Sequence, residues 1–591
     1  MEGSFLYDQV DWYVQDNWKV NSKLTLDYGL RFVNQRPQYD QYLQASNFFP
    51  ERWSPGAAPA LYVPGCVGAS PCSGTNRQAR NPVTGQLLGP NTTLAIGQLV
   101  PNTGDALNGI VKAGDGISKY NYEWPAIGYA PRFGGAYDIT GSQRFVLRGG
   151  FGLFFDRPNG NSVFSQVGNP PFSTATTVRY SQLQSLGSGG LTTQGPPFMV
   201  VFKYDSKLPS SDQWNGGVQF ALPWSLSGDV SYVGQHGFNL LQNVDINAVD
   251  FGTAYTATAQ DTTVAASATP GGSAQSVDLL RPYRGLGAIQ QNWGIGENTY
   301  HSIQTSFNRR FRNGFSLGVN YTLGLSNTGN AGNPVRLDHH GDGSYSIRAD
   351  QAAQDELMKD QGLQRHIIKG NMVWDLPKMS PGDGAQRVLA AIVNDWQLSG
   401  ILTAGTGAPY SVAFSYAGGA IGKAPGGTNA NGTGNQNLTG SPSYAPRILI
   451  TGDPGSGCAD NQYAQFNTAA FTVPTASASN PSLGLESGQN YMHGCFDKTV
   501  DLALARNFRL GGNRNIQVRI EAFNVFNTVV YNARNTTLQV QSPVNLTASN
   551  PQYDASGNLV QTRLTPQNAG FGAATGAQNM RSMQVQIRFQ F

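Results

Sequence analysis

The sequence predicts an all-β protein: a large transmembrane antiparallel β-barrel, incomplete at its start, with long extracellular loops. Segments of about ten residues alternate apolar with polar side chains, which a strand places on opposite faces. Short and long connections between these segments alternate along the chain, as they do in bacterial membrane barrels. The chain also ends on such a segment, closed by the aromatic Phe591.

The last segment shows the pattern most clearly. Its apolar face consists of Met583, Val585, Ile587, Phe589 and Phe591, and its polar face of Gln584, Gln586, Arg588 and Gln590. A half-buried edge strand of a soluble sandwich alternates in the same way. We therefore base the barrel prediction on the recurrence of this pattern along the chain.

Composition narrows the class of protein further. Only 13% of the 591 residues are charged and 72 are glycine, which suits a wall that is wet on one face and apolar on the other. A membrane-spanning helix needs about 18 consecutive apolar residues, and no stretch of the sequence reaches that length. A membrane location therefore requires a closed barrel. The net charge of +3 gives no indication of a nucleic-acid partner.

Taken in order, the chain gives thirteen candidate strands. The first six cover residues 7–18, 24–32, 132–139, 145–155, 213–222 and 226–234. The other seven cover residues 302–311, 315–325, 365–376, 396–404, 500–510, 516–526 and 583–591. Tight links join each pair, among them Arg312-Asn313-Gly314 and Gly511-Gly512-Asn513, and Asn-Gly is a strong hairpin signal. The link at residues 377–395 is longer and contains apolar residues 388–393, which suggests a short helix.

An odd number of strands is unusual for this architecture, because single-chain bacterial barrels have even counts. Residues 1–20 also contain neither the basic region nor the apolar region of a signal peptide. We therefore expect the gene product to be longer than residues 1–591, with additional strands before the first. In residues 1–591 alone, we expect a gapped seam between the first and last strands.

The four cysteines fall into two groups within stretches rich in Gly, Ser, Pro and Asn. We expect loop disulfides Cys66–Cys72 and Cys458–Cys495, which fits an oxidising compartment. Zinc is the weaker interpretation, because no Cys-x-x-Cys occurs. His339-His340 could bind a cation, but adjacent histidines in a polar loop are more often solvated. The sequence predicts no catalytic residues, no metal and no cofactor.

Several segments together resemble TonB-dependent receptors of the Oar-like type. They are residues 129–134 (YAPRFG), 145–157 (FVLRGGFGLFFDR), 229–237 (DVSYVGQHG), 395–405 (DWQLSGILTAG) and 521–527 (EAFNVFN), with the terminal Phe591. The resemblance spans nearly all of residues 1–591. Each motif is a weak strand-and-turn signature, and their order makes the resemblance specific.

The resemblance implies a barrel domain of the cell outer membrane in a Gram-negative bacterium. In that family a barrel of about 22 strands is plugged by an N-terminal domain and contacts TonB through a short N-terminal box. Neither region is visible in residues 1–591, so this chain resembles the C-terminal part of the barrel. The terminal aromatics Phe589 and Phe591 would be read by the barrel-assembly machinery.

Four arginines are candidates for lining the lumen: Arg31, Arg148, Arg519 and Arg588. They could contact a solute, or they could pair with Asp27, Asp501 or Glu521 within the wall, or with a plug. The resemblance implies an energy-coupled transporter for uptake or export of an unidentified large solute. A passive porin-like channel and a surface adhesin barrel are the alternatives, and an enzyme is not expected.

Overall fold

The computed structural model describes residues 3–123, 127–185, 190–380, 382–417, 437–511 and 514–591. Thirteen long strands form one continuous sheet in chain order. They are β1 Gln9–Lys19, β2 Leu24–Gln35, β3 Gly128–Asp138, β4 Phe145–Phe155, β5 Ser210–Leu222, β6 Leu226–Asp245, β7 Ile289–Arg312, β8 Phe315–Gly329, β9 His366–Asp375, β10 Trp396–Gly405, β11 Asp497–Gly511, β12 Arg514–Phe523 and β13 Ser582–Gln590. A further strand, Met199–Phe202, pairs in parallel with the start of β7.

Four α-helices lie entirely within the described residues, and all of them are short. They are α1 Gly160–Phe164, α2 Val277–Leu280, α3 Gln351–Leu357 and α4 Ala385–Val393. The first three lie in the long connections, and α4 lies between β9 and β10, where the apolar residues 388–393 suggested a helix. In the part of the chain that the structure describes, no helix is long and apolar enough to span a membrane.

Connection lengths alternate as predicted. The links at one end of the sheet cover residues 20–23, 139–144, 223–225, 313–314, 376–395 and 512–513. Those at the other end cover residues 36–127, 156–209, 246–288, 330–365, 406–496 and 524–581. In bacterial outer-membrane barrels short turns face the periplasm and long loops face outside. The predicted turn residues Gly512 and Asn513 lie outside the described residues.

The link between β7 and β8 illustrates how the sequence sets a turn. Asn313 and Gly314 both have positive φ, 52° and 75°. Two positive φ values define the hairpin turn whose twist matches that of the flanking strands, and Asn-Gly adopts it at little cost. The strong hairpin signal of this dipeptide is therefore confirmed.

One face of the sheet is continuous across all thirteen strands. Residues of this face lie opposite residues of the same face on the next strand, from Val14 on β1 to Ile587 on β13, apart from irregularities near the ends of some strands. Members of this face include Leu26, Leu30, Phe133, Phe151, Val218, Val230, Phe307, Val319, Met372, Leu402, Leu504, Ile520 and Ile587. We call it the apolar face, and we call the opposite one the polar face. The predicted assignment of Leu317, Val319, Tyr321 and Leu323 to one face is confirmed.

The two edges of the sheet stay apart. Among the described residues no ladder joins β1 to β13, in agreement with the expected seam. All nine residues of β13 are exposed on both faces. Because water or lipid can reach both faces of this strand, the sheet is a wall and not the layer of a packed sandwich.

Two strands are much longer than the sequence predicted. β6 extends to Asp245 instead of residue 234, and β7 begins at Ile289 instead of residue 302. The extensions pair with each other beyond the alternating segment, through residues 240–245 and 290–296. They lie at the long-loop end, where many of their side chains are buried by loops.

The long loops pack together into a body with its own cores. The largest core contains buried side chains from four different loops and strand extensions: Phe48, Ile110, Met199, Val201, Val244, Ile246, Tyr283, Leu286, Ile289, Trp293, Val335 and Leu337. A second core joins the last two long loops through Val412, Ile448, Phe466, Phe471, Met492, Leu538, Val540 and Phe571. We call this assembly the loop body.

Candidate functional site

The polar face of the wall carries all four predicted lumen arginines. Arg31 lies on β2, Arg148 on β4, Arg519 on β12 and Arg588 on β13, and the ladders place each opposite the apolar face. They share a face because each occupies the polar phase of an alternating strand. They do not form one cluster, since the strands that carry them lie near opposite edges of the sheet.

Two of the arginines form ion pairs within the wall. The Arg519 Nε lies 2.6 Å from the Glu521 carboxylate, which was one of the predicted partners. The Arg31 guanidinium lies 2.6 Å from the Asp11 carboxylate on β1. Asp27, another of the candidate partners, accepts a hydrogen bond from Asn17 and pairs with none of the four arginines. Diagonal reach across β1 and β2 explains the difference, because residues two apart on one strand share a face.

The other two arginines, Arg148 and Arg588, have no ion-pair partner within the described part of the chain. Arg148 lines a cavity of about 410 Å³ at the short-turn end, together with Lys19 and Lys23. The one carboxylate there, Asp138, accepts hydrogen bonds from backbone N–H groups of residues 140, 141 and 143. This cavity is therefore positively charged and suits an anionic group.

A second cavity, of about 660 Å³, lies in the wall at β1, β2 and β3. Its charged lining consists of Asp11, Asp27, Arg31 and Arg132. Both signs of charge are present, so this cavity favours a polar solute without selecting for its charge. The two cavities together make the polar face near the first edge of the sheet a charged surface with open space in front of it.

The loop body contains a third cavity, of about 540 Å³. Aromatic residues Phe48, Phe49, Tyr204 and Tyr345 line it together with Glu51, Lys203, Asp205 and Asp342. The Lys203 ammonium lies 5.2 Å from the centre of the Trp293 ring. Burial raises the pKa of Tyr345 to about 12, so this phenol stays protonated and can donate a hydrogen bond.

Buried side-chain amides connect the loops through hydrogen bonds to backbone carbonyl groups. The sequence did not predict these residues. The Asn247 amide donates to the carbonyl oxygens of Tyr283, Leu286 and Gly287 at 3.1, 3.1 and 2.7 Å. The Asn47 amide donates to the carbonyl oxygens of Asn121 and Phe202.

The adjacent histidines differ from the expectation of two solvated side chains. His340 is exposed, but the His339 ring is buried and its Nδ1 lies 2.7 Å from the Asp250 carboxylate. Burial alone would lower the pKa of His339, but hydrogen bonds to Asp250 and to the Ile246 carbonyl outweigh it and raise that pKa. Across the described residues, no group of three or more His, Cys, Asp or Glu side chains is arranged to hold a metal ion.

Both cysteine pairs are bridged in the structure. Cys66–Cys72 spans 6 residues in the first long loop, and Cys458–Cys495 spans 37 residues in the fifth. Both bridges lie in the long connections, and Cys495 is two residues before the start of β11. Phe589 and Phe591 stand at the free edge with ring centroids 5.7 Å apart, and Phe591 is 92% exposed.

The model of a known family matches nearly the whole chain. This model, described as the outer membrane beta barrel domain, covers residues 2–584. The chain belongs to this family. The match confirms the predicted barrel class and the outer-membrane location.

Solved structures similar to this outer-membrane barrel are remote in sequence. The siderophore receptor PirA from Pseudomonas aeruginosa is 9% identical at a TM-score of 0.32, covering 88% of this chain and 45% of that one. The ferric enterobactin receptor from the same species is 10% identical at a TM-score of 0.36, covering 99% of this chain and 54% of that one. The ferric-catecholate import receptor Fiu from Escherichia coli K12 is 10% identical at a TM-score of 0.36, covering 99% of this chain and 45% of that one.

This outer-membrane barrel thus spans about half the length of the solved structures that it matches, between 45% and 54% for these three. No curated protein matches it.

Proposed function

We propose that the chain forms the membrane-spanning wall of a TonB-dependent receptor that moves a large solute across the outer membrane. The observation that carries this proposal is the polar face: it carries charged residues and arginines along open cavities, and the loop body lies at its long-loop end. A wall of thirteen strands already exceeds the eight that side chains alone can fill. The interior therefore has room for a solute or a plug.

The two unpaired arginines give the polar face its proposed role. Arg148 and Arg588 are cations without an ion-pair partner among the described residues. In an interior that water fills, such charges would attract anionic groups of a passing solute or of a plug. Ion-paired Arg31 and Arg519 would instead stabilise the wall.

The proposed partners follow from the same assignment. The apolar face contacts lipid, and the exposed Phe589 and Phe591 at the free edge are available to the barrel-assembly machinery. Energy would come from TonB through a region N-terminal to the wall. The loop body would make the first contact with the solute, and none of these groups calls for catalysis or a cofactor.

The test is solute accumulation in the organism that encodes the protein. Cells lacking the gene, cells lacking TonB and the parent strain would be given labelled ferric siderophores, cobalamin, oligosaccharides and peptides. The proposal predicts that accumulation of one solute falls to background in both deletion strains. A solute whose entry needs the gene but not TonB would instead indicate a passive pore. Binding of cells to surfaces without any transport defect would indicate an adhesin.

A further inference from the structure

The helix α4 presents its large apolar side chains outward. Val388, Leu389, Ile392 and Val393 are 62%, 50%, 56% and 40% exposed, whereas the small Ala390 is 2% exposed. A helix at a water-exposed surface buries its apolar stripe against the protein. In α4 this order is reversed, because the face that packs on the protein carries an alanine and the face that points away carries the large side chains.

The exposed side chains lie on one side of the helix. At 100° per residue, positions 388, 389, 392 and 393 fall within a single sector, position 386 borders it, and positions 387 and 390 fall outside it. Arg387 is an exposed polar residue outside this sector, and the exposed Gln386 lies at its border. The helix is therefore amphipathic, with an apolar side that no described residue covers.

The C-terminal end of α4 is tied to the apolar face of the wall. The carbonyl oxygen of Ile392 accepts hydrogen bonds from the Trp396 indole Nε1 at 2.8 Å and from the Arg506 guanidinium at 3.0 Å. Trp396 and Arg506 are direct partners in the β10–β11 ladder. The same ladder places them in phase with Leu398 and Leu504 on the apolar face.

This anchor has the composition of a membrane–water boundary. The Arg506 guanidinium lies 5.6 Å from the Trp396 ring centre and 4.5 Å from the Phe508 ring centre. Tryptophan concentrates where hydrocarbon meets headgroups, and an arginine at that level can reach lipid phosphate. The short-turn end of the wall is the end that faces the periplasm.

We propose that α4 lies in the inner leaflet of the outer membrane, with its apolar side among phospholipid acyl chains. The apolar side of the helix continues the lipid-facing surface of the wall, and the anchor residues mark the headgroup level between them. Helices of this kind lie along the interface and do not span the bilayer. A phospholipid leaflet is the occupant that this continuity requires, and the inference does not depend on the transport proposal.

The test places a fluorescent label on each side of the helix. Single cysteines at residues 389 and 392 would report on the apolar side, and one at residue 387 would serve as the matched control on the other side of the same helix. Both native cysteine pairs are bridged and no described cysteine is free, so the added thiol can be labelled alone. The full-length protein carrying an environment-sensitive dye would be reconstituted in phosphatidylcholine–phosphatidylglycerol vesicles.

Two quenchers then distinguish the outcomes. The proposal predicts that labels at 389 and 392 emit at shorter wavelength, resist aqueous iodide and are quenched by nitroxide on lipid acyl chains. A label at 387 should show the reverse. Iodide quenching that is equal at all three positions would overturn the proposal, and so would protection of 389 and 392 without lipid quenching. Heat-modifiable migration in gels would establish that each variant is folded.

Discussion

Replacing Val319 by arginine tests the assignment of the two faces in one strand. Val319 lies on the apolar face of β8, opposite Phe307 on β7 and Gly370 on β9. It is four residues from Phe315, where β8 leaves its tight turn. With a rise of about 3.4 Å per residue and a tilt of about 40°, that spacing places Val319 about 10 Å into an apolar band about 25 Å tall.

The magnitude follows from that depth. An arginine close to the midplane on the lipid side of a barrel costs about 2–4 kcal/mol. The matched control is Asn320→Arg, one residue further along β8. Asn320 is exposed on the polar face, so an arginine there keeps its water and should change stability by within about 0.5 kcal/mol.

The assay is reversible denaturant unfolding of the full-length protein in lipid vesicles, followed by tryptophan fluorescence. We expect a lower unfolding midpoint for Val319→Arg and an unchanged midpoint for Asn320→Arg, at equal slopes. Equal losses at both positions, or a larger loss at Asn320, would refute the assignment of faces.

Three further predictions concern the loop body. Replacing Cys458 and Cys495 by serine should lower the stability of the loop body by about 3–4 kcal/mol in the chain-entropy model. The loss would be measured as faster proteolysis of the loops while the barrel stays intact, and unchanged proteolysis would contradict it. His339 has a raised pKa beside Asp250, so its stabilising contribution is complete below pH about 6.5 and is lost as the pH rises through that higher pKa. Loop proteolysis should therefore accelerate with pH in the parent protein, and His339→Gln should flatten this dependence. Asn247→Ala should leave three buried carbonyl groups without this hydrogen-bond donor and so loosen the loops. We expect faster hydrogen exchange of the backbone amides near residues 283–287, and an unchanged exchange rate would count against this role.

The wall could be predicted from sequence because its pattern is local. On β4, the alternation and the flanking turn residues predicted Phe145–Phe155, and the structure has the same bounds. Lipid on one side and water on the other impose a period of two on every strand within the membrane. The parity of the strand count and the expected seam followed from the same pattern.

The loop body could not be predicted, because its contacts join distant parts of the chain. Phe48, Tyr283 and Leu337 meet in one core although more than 200 residues separate the first from the second. The extensions of β6 and β7 were missed for a related reason. Outside the membrane, loops cover both faces of these strands, and no alternation marks them in the sequence.

The candidate site was predictable only in part. Alternation assigned Arg31, Arg148, Arg519 and Arg588 to the polar face, but partner choice depended on register between strands. Arg31 reaches Asp11 on the neighbouring strand, which local spacing within β2 could not indicate. The burial of His339 likewise depends on Asp250, 89 residues earlier in the chain.

The most direct test of the account is the accessibility of spin labels on adjacent residues of three strands. Labels would be placed singly at Leu26 and Thr25, at Val319 and Asn320, and at Ile587 and Gln586. Oxygen concentrates in lipid and a nickel chelate stays in water, so their relaxation effects separate the two environments. The account predicts that Leu26, Val319 and Ile587 are oxygen-accessible and that their neighbours are accessible to nickel. Labels that respond alike at both members of a pair, or a phase reversed on any strand, would contradict a single lipid-facing surface.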